Sequence, residues 1–231
     1  VWPLRDKWDR GNENLYAAWL QILFDAPLDE DLSWKSLGEV LHDDSRNVLF
    51  NHLGLREDQT RATIRPDCAD LPYFLRAYYA FKMGLPFGYA NCTRGGGGKP
   101  PTCTKWWSVV KEEPTPMTKT ARRKSRSNHL YGGRAASPAR YRTPARPKGL
   151  VPGFQHYLRR TIADGVHSGN GRTANDDDDT DFYPVPLTRE ALRPGTIYAD
   201  PYGHILMLVK RVPQTDEGAG VFLAVDGQPD G

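Results

Sequence analysis

Cysteine is scarce in this chain of 231 residues, which has only Cys68, Cys92 and Cys103. Ten residues separate Cys92 from Cys103, and no third ligand lies close to them, so the spacing of a structural zinc site is missing. The six histidines include no pair at i and i+4, the helical spacing of a metal site. We therefore expect neither a metal ion nor a cofactor.

Several further patterns are missing. No stretch approaches the ~18–20 consecutive apolar residues of a membrane-spanning helix, so we expect no membrane span. The chain shows no signal-peptide pattern and no initiator methionine, and it ends soon after a predicted strand, so we interpret it as a portion of a longer protein. The acidic run over 175–181 lacks the spacing, central glycine and final glutamate of a calcium loop, which favours a solvated loop.

The segment that begins at Asp67-Cys68 carries the strongest functional signal. Pro66 ends an extended stretch, Asp67 is a favourable N-cap residue, and apolar residues recur at helical spacing as far as Met83. Gly84 is a helix stop. A thiol at a helix N-terminus lies at the positive end of the macrodipole, which favours the nucleophilic thiolate. Cys68 is therefore a candidate nucleophile, and the alternative is a small cysteine buried in the core.

Three strands are predicted near the end of the chain. The first covers 196–199, the second runs from His204 to Val212, and the third covers 220–226. Consecutive antiparallel strands place the start of one beside the end of the next, so His204 and Asp226 are expected to meet at one edge of the sheet. A helix-borne thiolate, an imidazole and an orienting carboxylate are the components of an activated acyl-transfer nucleophile.

Two other residues are alternatives for the third member of this site. Asp200 lies four residues before His204 across a tight turn, where a side chain is often used in turn hydrogen bonds. Gln228 follows Asp226 by two residues, and an amide can also orient an imidazole. We predict Asp226 and keep Asp200 and Gln228 as the alternatives.

The order of these motifs resembles a known family. Asp67-Cys68 at a helix start, Leu192-Arg193-Pro194-Gly195 ahead of a strand and Gly203-His204 at the next strand are similar to the NlpC-like bacterial cell-wall cysteine peptidases. This family is a branch of the papain-fold superfamily. The resemblance covers 66–85 and 192–227, under a third of the chain. It implies Cys68 as nucleophile, His204 as base, Asp226 as third residue, and a peptide or peptidoglycan-like substrate.

The chain departs from the family pattern at two points. The family usually has a Ser-Gly pair after the cysteine, whereas Ala69-Asp70 follows Cys68 here, and the separation between Cys68 and His204 is longer than usual. An aspartate as the third residue is also typical of the transglutaminase-like branch. Hydrolysis and acyl transfer therefore both stay open.

Helices precede the predicted strands, which favours an α+β domain. We predict a single papain-like domain over 1–231, in which a helical part over 1–65 and the nucleophile helix pack on a small antiparallel sheet formed by 192–227. Further helices are predicted over 12–24, 33–41, 45–53 and 153–162, the first with Leu15, Trp19, Ile22 and Leu23 on its apolar face. The region 86–152, rich in Gly, Pro, Ser and Arg, is expected to be a long irregular basic insertion.

A disulfide between Cys92 and Cys103 is also predicted. These two residues flank a glycine-rich loop with turn chemistry at both ends. The bond would close a short loop, leave Cys68 unpaired as a nucleophile requires, and imply an oxidising compartment. Together with the resemblance, it favours a periplasmic, secreted or cell-envelope protein. The alternative is three reduced cysteines in a cytosolic protein.

A basic tract occupies 119–148, where ten Lys or Arg residues occur without any Asp or Glu. Such a tract can bind an anionic polymer, which gives a third interpretation of the chain as a non-catalytic binding module. Nucleic acid is the less favoured partner, because the formal net charge is only +3 and no nucleic-acid-binding fold is recognisable. The simplest interpretation is a solvated basic loop.

Deletion of residues 122–146 tests the role of this tract. A segment this charged and this poor in apolar residues is expected to bury little surface, so the deletion should leave Tm nearly unchanged. Binding to an anionic polymer should weaken, and its dependence on salt concentration should flatten. A large fall in Tm would show that the segment belongs to the core.

Overall fold

Helices occupy the first part of the chain and most of the strands lie in the last part. The computed structural model describes residues 1–30, 32–60, 63–109 and 149–228, so the basic tract over 119–148 lies outside the described residues. Within these ranges the chain is a mixed α+β protein with two small antiparallel sheets. None of the described helices combines the length and the apolar character needed to traverse a bilayer.

Three helices precede the first strand, and a longer helical stretch follows the second. The first three are α1 (Arg10–Leu23), α2 (Leu37–Leu41) and α3 (Asp70–Met83). The later stretch consists of α4 (Leu150–Tyr157), a π-helical turn (Leu158–Ile162) and α5 (Ala163–Gly165), and a 3-10 turn (Ser168–Gly171) comes after it.

The helix α3 forms the centre of the hydrophobic core. Twelve of its fourteen residues are buried. Trp19 of α1 stacks on Tyr78 with 5.6 Å between ring centroids, and Phe154 of α4 stacks on Phe81 at 4.1 Å. Gly84, with φ of +71°, ends the helix in the left-handed region that suits glycine. Aromatic residues of the two other long helical segments thus pack on neighbouring positions of the helix that follows Cys68.

The buried face of α1 differs from the predicted one. Trp19 and Leu23 are buried as expected, but Leu15 is 56% exposed and Ile22 is 45% exposed. Tyr16 and Leu20 are buried in their place. The buried set therefore lies at i, i+3, i+4 and i+7, the stripe that one helix face presents to the core, while Leu15 and Ile22 lie one position outside it.

A buried ionic cluster fixes the end of α3 to the segment before it. Lys82 has 1% of its surface exposed, and its Nζ donates to Glu57 Oε1 at 2.5 Å and also to Asp58 Oδ2. Backbone N–H groups of Leu53 and Asn51 donate to the same two carboxylates at 2.8 and 2.7 Å. Burial by itself would raise the pKa of Glu57, but its hydrogen bonds, first that from Lys82, lower it. Glu57 therefore stays charged inside the protein.

The predicted helix over 45–53 is wrong, and the cluster explains why. Residues 48–53 form a series of turns, and Asn51 has a φ of +50°, which an α-helix does not accommodate. The N–H groups of Asn51 and Leu53 bond to the side chains of Asp58 and Glu57 instead of to helix carbonyls. Long-range pairing with Lys82 thus replaces the local helix that the sequence pattern predicts.

The first sheet is a hairpin of β1 (Gly88–Cys92) and β2 (Cys103–Ser108), with Gly88 paired to Ser108 and Cys92 to Cys103. The predicted disulfide between Cys92 and Cys103 is present. The expectation of an irregular region over 86–152 is therefore wrong for the two strands, 88–92 and 103–108, and for 150–152, which belong to α4. All four glycines of the run 95–98 have positive φ values, which allow the chain reversal that the sequence pattern did not reveal as a hairpin.

The second sheet has the strand order β3 (Ile197–Ala199), β4 (Ile205–Val212) and β5 (Val221–Val225), all antiparallel. Ile205, Met207 and Val209 alternate along β4 and are buried, so one face of this sheet covers the core. The three predicted strands are confirmed with small shifts at their ends. His204 lies immediately before β4, and Asp226 lies immediately after β5.

Substitution of Lys82 tests the ionic cluster. Lys82→Met keeps the length of the side chain but leaves two buried carboxylates without a cation, so it should lower the free energy of unfolding by about 3–5 kcal/mol. Urea denaturation measures this change. Lys99→Met is the matched control, because Lys99 is exposed, and its effect should stay within about 0.5 kcal/mol. Equal effects of the two substitutions would contradict the account.

Candidate functional site

Cys68 lies in the turn that leads into α3. Asp67 orders this turn, since its Oδ1 accepts the N–H groups of Ala69 and Asp70 at 2.9 and 2.8 Å, and its carbonyl accepts that of Leu71 at 3.0 Å. The predicted capping role of Asp67 is thus present. Cys68 stands two residues before the first residue of α3, rather than inside its first helical turn.

The thiol and the backbone N–H of Cys68 are both free to interact with a substrate. Its side chain is partly buried and its thiol is free, because the other two cysteines are bonded to each other. Among the described residues, none accepts a hydrogen bond from the backbone N–H of Cys68, whereas Asp67 takes the three N–H groups that follow. A thiol and an uncommitted N–H therefore belong to the same residue at a helix start.

His204 and Asp226 meet at the edge of the second sheet. His204 Nε2 donates to Asp226 Oδ2 at 2.7 Å, with 41% and 27% of the two side chains exposed. Antiparallel pairing of β4 with β5 brings them together, because one residue precedes β4 and the other follows β5. Since Nε2 bonds to Asp226, Nδ1 is the ring nitrogen that remains for proton exchange.

The two alternative third residues have other roles in the structure. Asp200 uses its side chain within the turn between β3 and β4, where its Oδ1 accepts the N–H of Tyr202 at 2.5 Å. Gln228 does not replace Asp226 but supports it, since its Nε2 donates to Asp226 Oδ2 at 3.1 Å. The same carboxylate oxygen thus receives hydrogen bonds from His204 and from Gln228.

A backbone contact joins this pair to the Cys68 turn. Gly227 is buried, and a Cβ atom built on it would lie 2.5 Å from the carbonyl oxygen of Asp67 and 2.6 Å from that of Pro66. The residue after Asp226 therefore touches the residue before Cys68. The structure brings the segments of Cys68, His204 and Asp226 to one place, although they come from distant parts of the chain.

The turn before His204 is supported by the 3-10 turn Ser168–Gly171. Arg172 spans the two, because its Nε donates to the carbonyl of Ser168 at 3.2 Å and its Nη1 to that of Pro201 at 3.4 Å. His167, at the start of the 3-10 turn, donates from Nε2 to the carbonyl of Cys92 at 2.8 Å. The disulfide-linked hairpin and the turn before His204 are therefore connected through this segment.

Asp181 is a structural residue that the sequence interpretation missed. The acidic run over 175–181 was expected to be a solvated loop, but Asp181 accepts hydrogen bonds from Tyr73 OH at 2.6 Å, from the Ala90 N–H at 2.7 Å and from Asn170 Nδ2 at 3.1 Å. Burial raises its pKa, and these three hydrogen bonds oppose that shift. No local signal separates this aspartate from its neighbours, because its partners come from three distant segments.

Asp70 is a second unexpected carboxyl, two residues after Cys68. It is only 7% exposed, and its Oδ1 has no hydrogen-bond partner among the described residues. Burial, followed by the negative charges of Asp67 and Asp164, raises the pKa of Asp70 to about 7. In the sequence, Asp70 is notable only because it departs from the family pattern after the cysteine. In the structure, its burial makes it a group that titrates near neutral pH.

No protein-family model, curated protein or solved structure matches this chain. Within the part of the chain that the structure describes, no group of three or more His, Cys, Asp or Glu side chains is arranged to hold a metal ion.

Asp70 should make stability depend on pH in a direction opposite to that of most carboxylates. Its pKa is about 7 in the folded protein and about 3.9 in the unfolded chain. Between these values the folded state holds the extra proton, so the contribution of Asp70 to stability falls as pH rises, by up to about 1.4 kcal/mol per pH unit. Asp70→Asn should match the wild-type Tm near pH 4 and exceed it above pH 7.

Thermal unfolding across this pH range, with Asp216→Asn as control, measures the effect. Asp216 is exposed, so the control should follow the wild type throughout. A difference between Asp70→Asn and the wild type that stays constant with pH would show that Asp70 does not titrate in this window.

Proposed function

We propose that the chain is a thiol-dependent amide hydrolase that acts on cell-wall peptide or a related envelope substrate. Cys68 is the nucleophile, His204 the general base and acid, and Asp226 the orienting carboxylate. The observation that carries this proposal is the hydrogen bond from His204 Nε2 to Asp226 Oδ2 at 2.7 Å, on a segment that packs against the Cys68 turn through Gly227.

The first half of the reaction forms a thioester. The Cys68 thiol gives its proton to His204, and the sulfur attacks the carbonyl carbon of the amide. The tetrahedral intermediate then breaks its C–N bond, and His204 returns the proton to the leaving amine. Asp226 holds the ring through Nε2 and stabilises the imidazolium, which leaves Nδ1 for both proton transfers.

The backbone N–H of Cys68 is the proposed donor to the oxyanion. Stabilisation of a tetrahedral intermediate needs a hydrogen-bond donor that is already in place and not used elsewhere. Asp67 accepts the N–H groups of Ala69, Asp70 and Leu71, and the N–H of Cys68 is left over among the described hydrogen bonds. The capping by Asp67 thus leaves the N–H of Cys68 available to the oxyanion.

The second half of the reaction releases the acyl group. Water attacks the thioester, His204 accepts its proton, the C–S bond breaks, and the thiol and a carboxylic acid result. An amine in place of water would give a new amide, which is the reaction of the transglutaminase-like alternative. Because both reactions use the same three residues, the acceptor decides between them.

The papain-like arrangement and the envelope location belong to the same proposal. The first is supported by one hydrophobic core that contains both the buried helix after Cys68 and the inner face of the antiparallel sheet that follows His204. The disulfide between Cys92 and Cys103 supports an oxidising compartment, such as the periplasm or the cell exterior. The basic tract over 119–148, through which the chain can attract an anionic polymer, would serve a catalytic or a non-catalytic protein equally.

Hydrolysis of purified cell-wall peptides tests the proposal. The wild type should release new amine ends that mass spectrometry detects, and Cys68→Ser should lose this activity while the protein stays folded, because the change in volume is small. Asp226→Asn should lower turnover strongly and leave substrate binding nearly intact, since the orientation of His204 is lost and the shape of the site is kept.

Asp200→Asn is the matched control for Asp226→Asn, because its carboxylate bonds only within a turn. It should stay active. Full activity of Asp226→Asn with loss of activity in Asp200→Asn would show that the third residue is misassigned. An unchanged activity of Cys68→Ser would contradict the thiol mechanism. With a primary amine added as acceptor, a hydrolase should still release mainly the free carboxylic acid and an acyltransferase mainly the new amide, and the product masses separate the two.

A further inference from the structure

We propose that Gly227 is a positioning residue, whose missing side chain sets the distance between the Cys68 turn and the His204–Asp226 pair. This inference rests on the proposed function, since it concerns the geometry of the same three residues. Gly227 does not contact the reacting atoms in this account. It acts on them through its two neighbouring backbone segments.

The contact made by Gly227 is with backbone alone. The three nearest atoms to its built Cβ are the Asp67 carbonyl oxygen at 2.5 Å, the Asp67 carbonyl carbon at 2.6 Å and the Pro66 carbonyl oxygen at 2.6 Å. Ordinary van der Waals contact begins at 3.4 Å, so any larger residue must separate the two segments by roughly 1 Å. No flexible side chain is present among these atoms to absorb the displacement.

The backbone conformation of Gly227 does not itself require glycine. Its φ lies outside the left-handed region, in contrast to that of Gly203 or Gly195. An alanine at 227 therefore meets no conformational penalty of its own, and its effect comes from the contact with Pro66 and Asp67. The effect of Gly227→Ala therefore reports the contact and not the backbone conformation.

Both sides of the contact are fixed by other interactions. On one side, Asp67 is tied to α3 by its bonds to the following N–H groups. On the other, Val225 pairs with Met207 inside the sheet, so β5 is anchored up to the residue before Asp226. If a larger residue at 227 pushes the two segments apart, either Asp226 or the Cys68 turn must move. A misplacement of about 1 Å can lower a rate by ~100-fold.

The alkylation rate of Cys68 by iodoacetamide reports this distance without the need for a known substrate. Cys68 is the single free thiol, so incorporation into one peptide is followed by mass spectrometry. Gly227→Ala should slow alkylation about 10-fold or more, because the imidazole no longer supports the thiolate. Gly218→Ala is the matched control: its built Cβ meets only Thr215 Oγ1 at 4.0 Å, and its rate should equal that of the wild type.

A double-mutant cycle separates positioning from a general loosening of the protein. In a His204→Ala background, Gly227→Ala should have little further effect, because the partner that it positions is gone. A slowing of the same size in both backgrounds, or a Gly227→Ala rate equal to that of the wild type, would overturn the proposal.

Failure of the proposed function is recognised separately. If wild type and His204→Ala label at the same rate, the imidazole does not activate Cys68, and the mechanism fails before Gly227 is considered. If they differ and Gly227→Ala behaves as the wild type, the mechanism stands and only the role of Gly227 is refuted.

Thermal unfolding shows whether Gly227→Ala is folded at the assay temperature. If it is not, nuclear Overhauser effects in the wild-type chain decide the question, with selective labelling of glycine. The Hα protons of Gly227 should show such effects to protons of Asp67 and Cys68. Their absence would overturn the proposal, because the close approach on which it depends would be missing.

Discussion

The close approach of Gly227 to the Pro66–Asp67 backbone is the constraint on which the candidate site depends. Cys68 belongs to the helical part of the chain, and His204 and Asp226 belong to the sheet, so local structure cannot bring them together. The contact with Gly227 joins these parts at the residue before the thiol and the residue after the carboxylate. Asp67 takes part twice, because its side chain orders the turn and its backbone carries the contact.

The helix α3 transmits the order of the core to this site. At its far end, Lys82 is held between Glu57 and Asp58, and along its length aromatic rings of α1 and α4 pack against it. Breaking such a buried ionic cluster costs several kcal/mol, so the end of the helix is strongly fixed. Its N-terminal turn can then present Cys68 from a rigid element, which precise catalytic geometry requires.

Sequence patterns predict the parts of this fold that depend on neighbouring residues. The cap at Asp67, the helix α3 and the edge shared by His204 and Asp226 follow from capping preference, apolar spacing and strand order. The patterns fail where distant partners decide, as in residues 45–53, where the N–H groups of Asn51 and Leu53 bond to two carboxylates that Lys82 holds. They also fail for Asp181 and Gly227, because a buried aspartate and a contact glycine look like ordinary loop residues until their partners are known.

The reactivity of Cys68 in the folded and the urea-unfolded protein tests the central claim most directly, because the same thiol serves as its own reference. The account predicts faster alkylation by iodoacetamide in the folded state at neutral pH, although the side chain is partly buried, because His204 accepts the proton of the thiol. Slower alkylation in the folded state would contradict the account, since a cysteine that is merely buried is protected by folding.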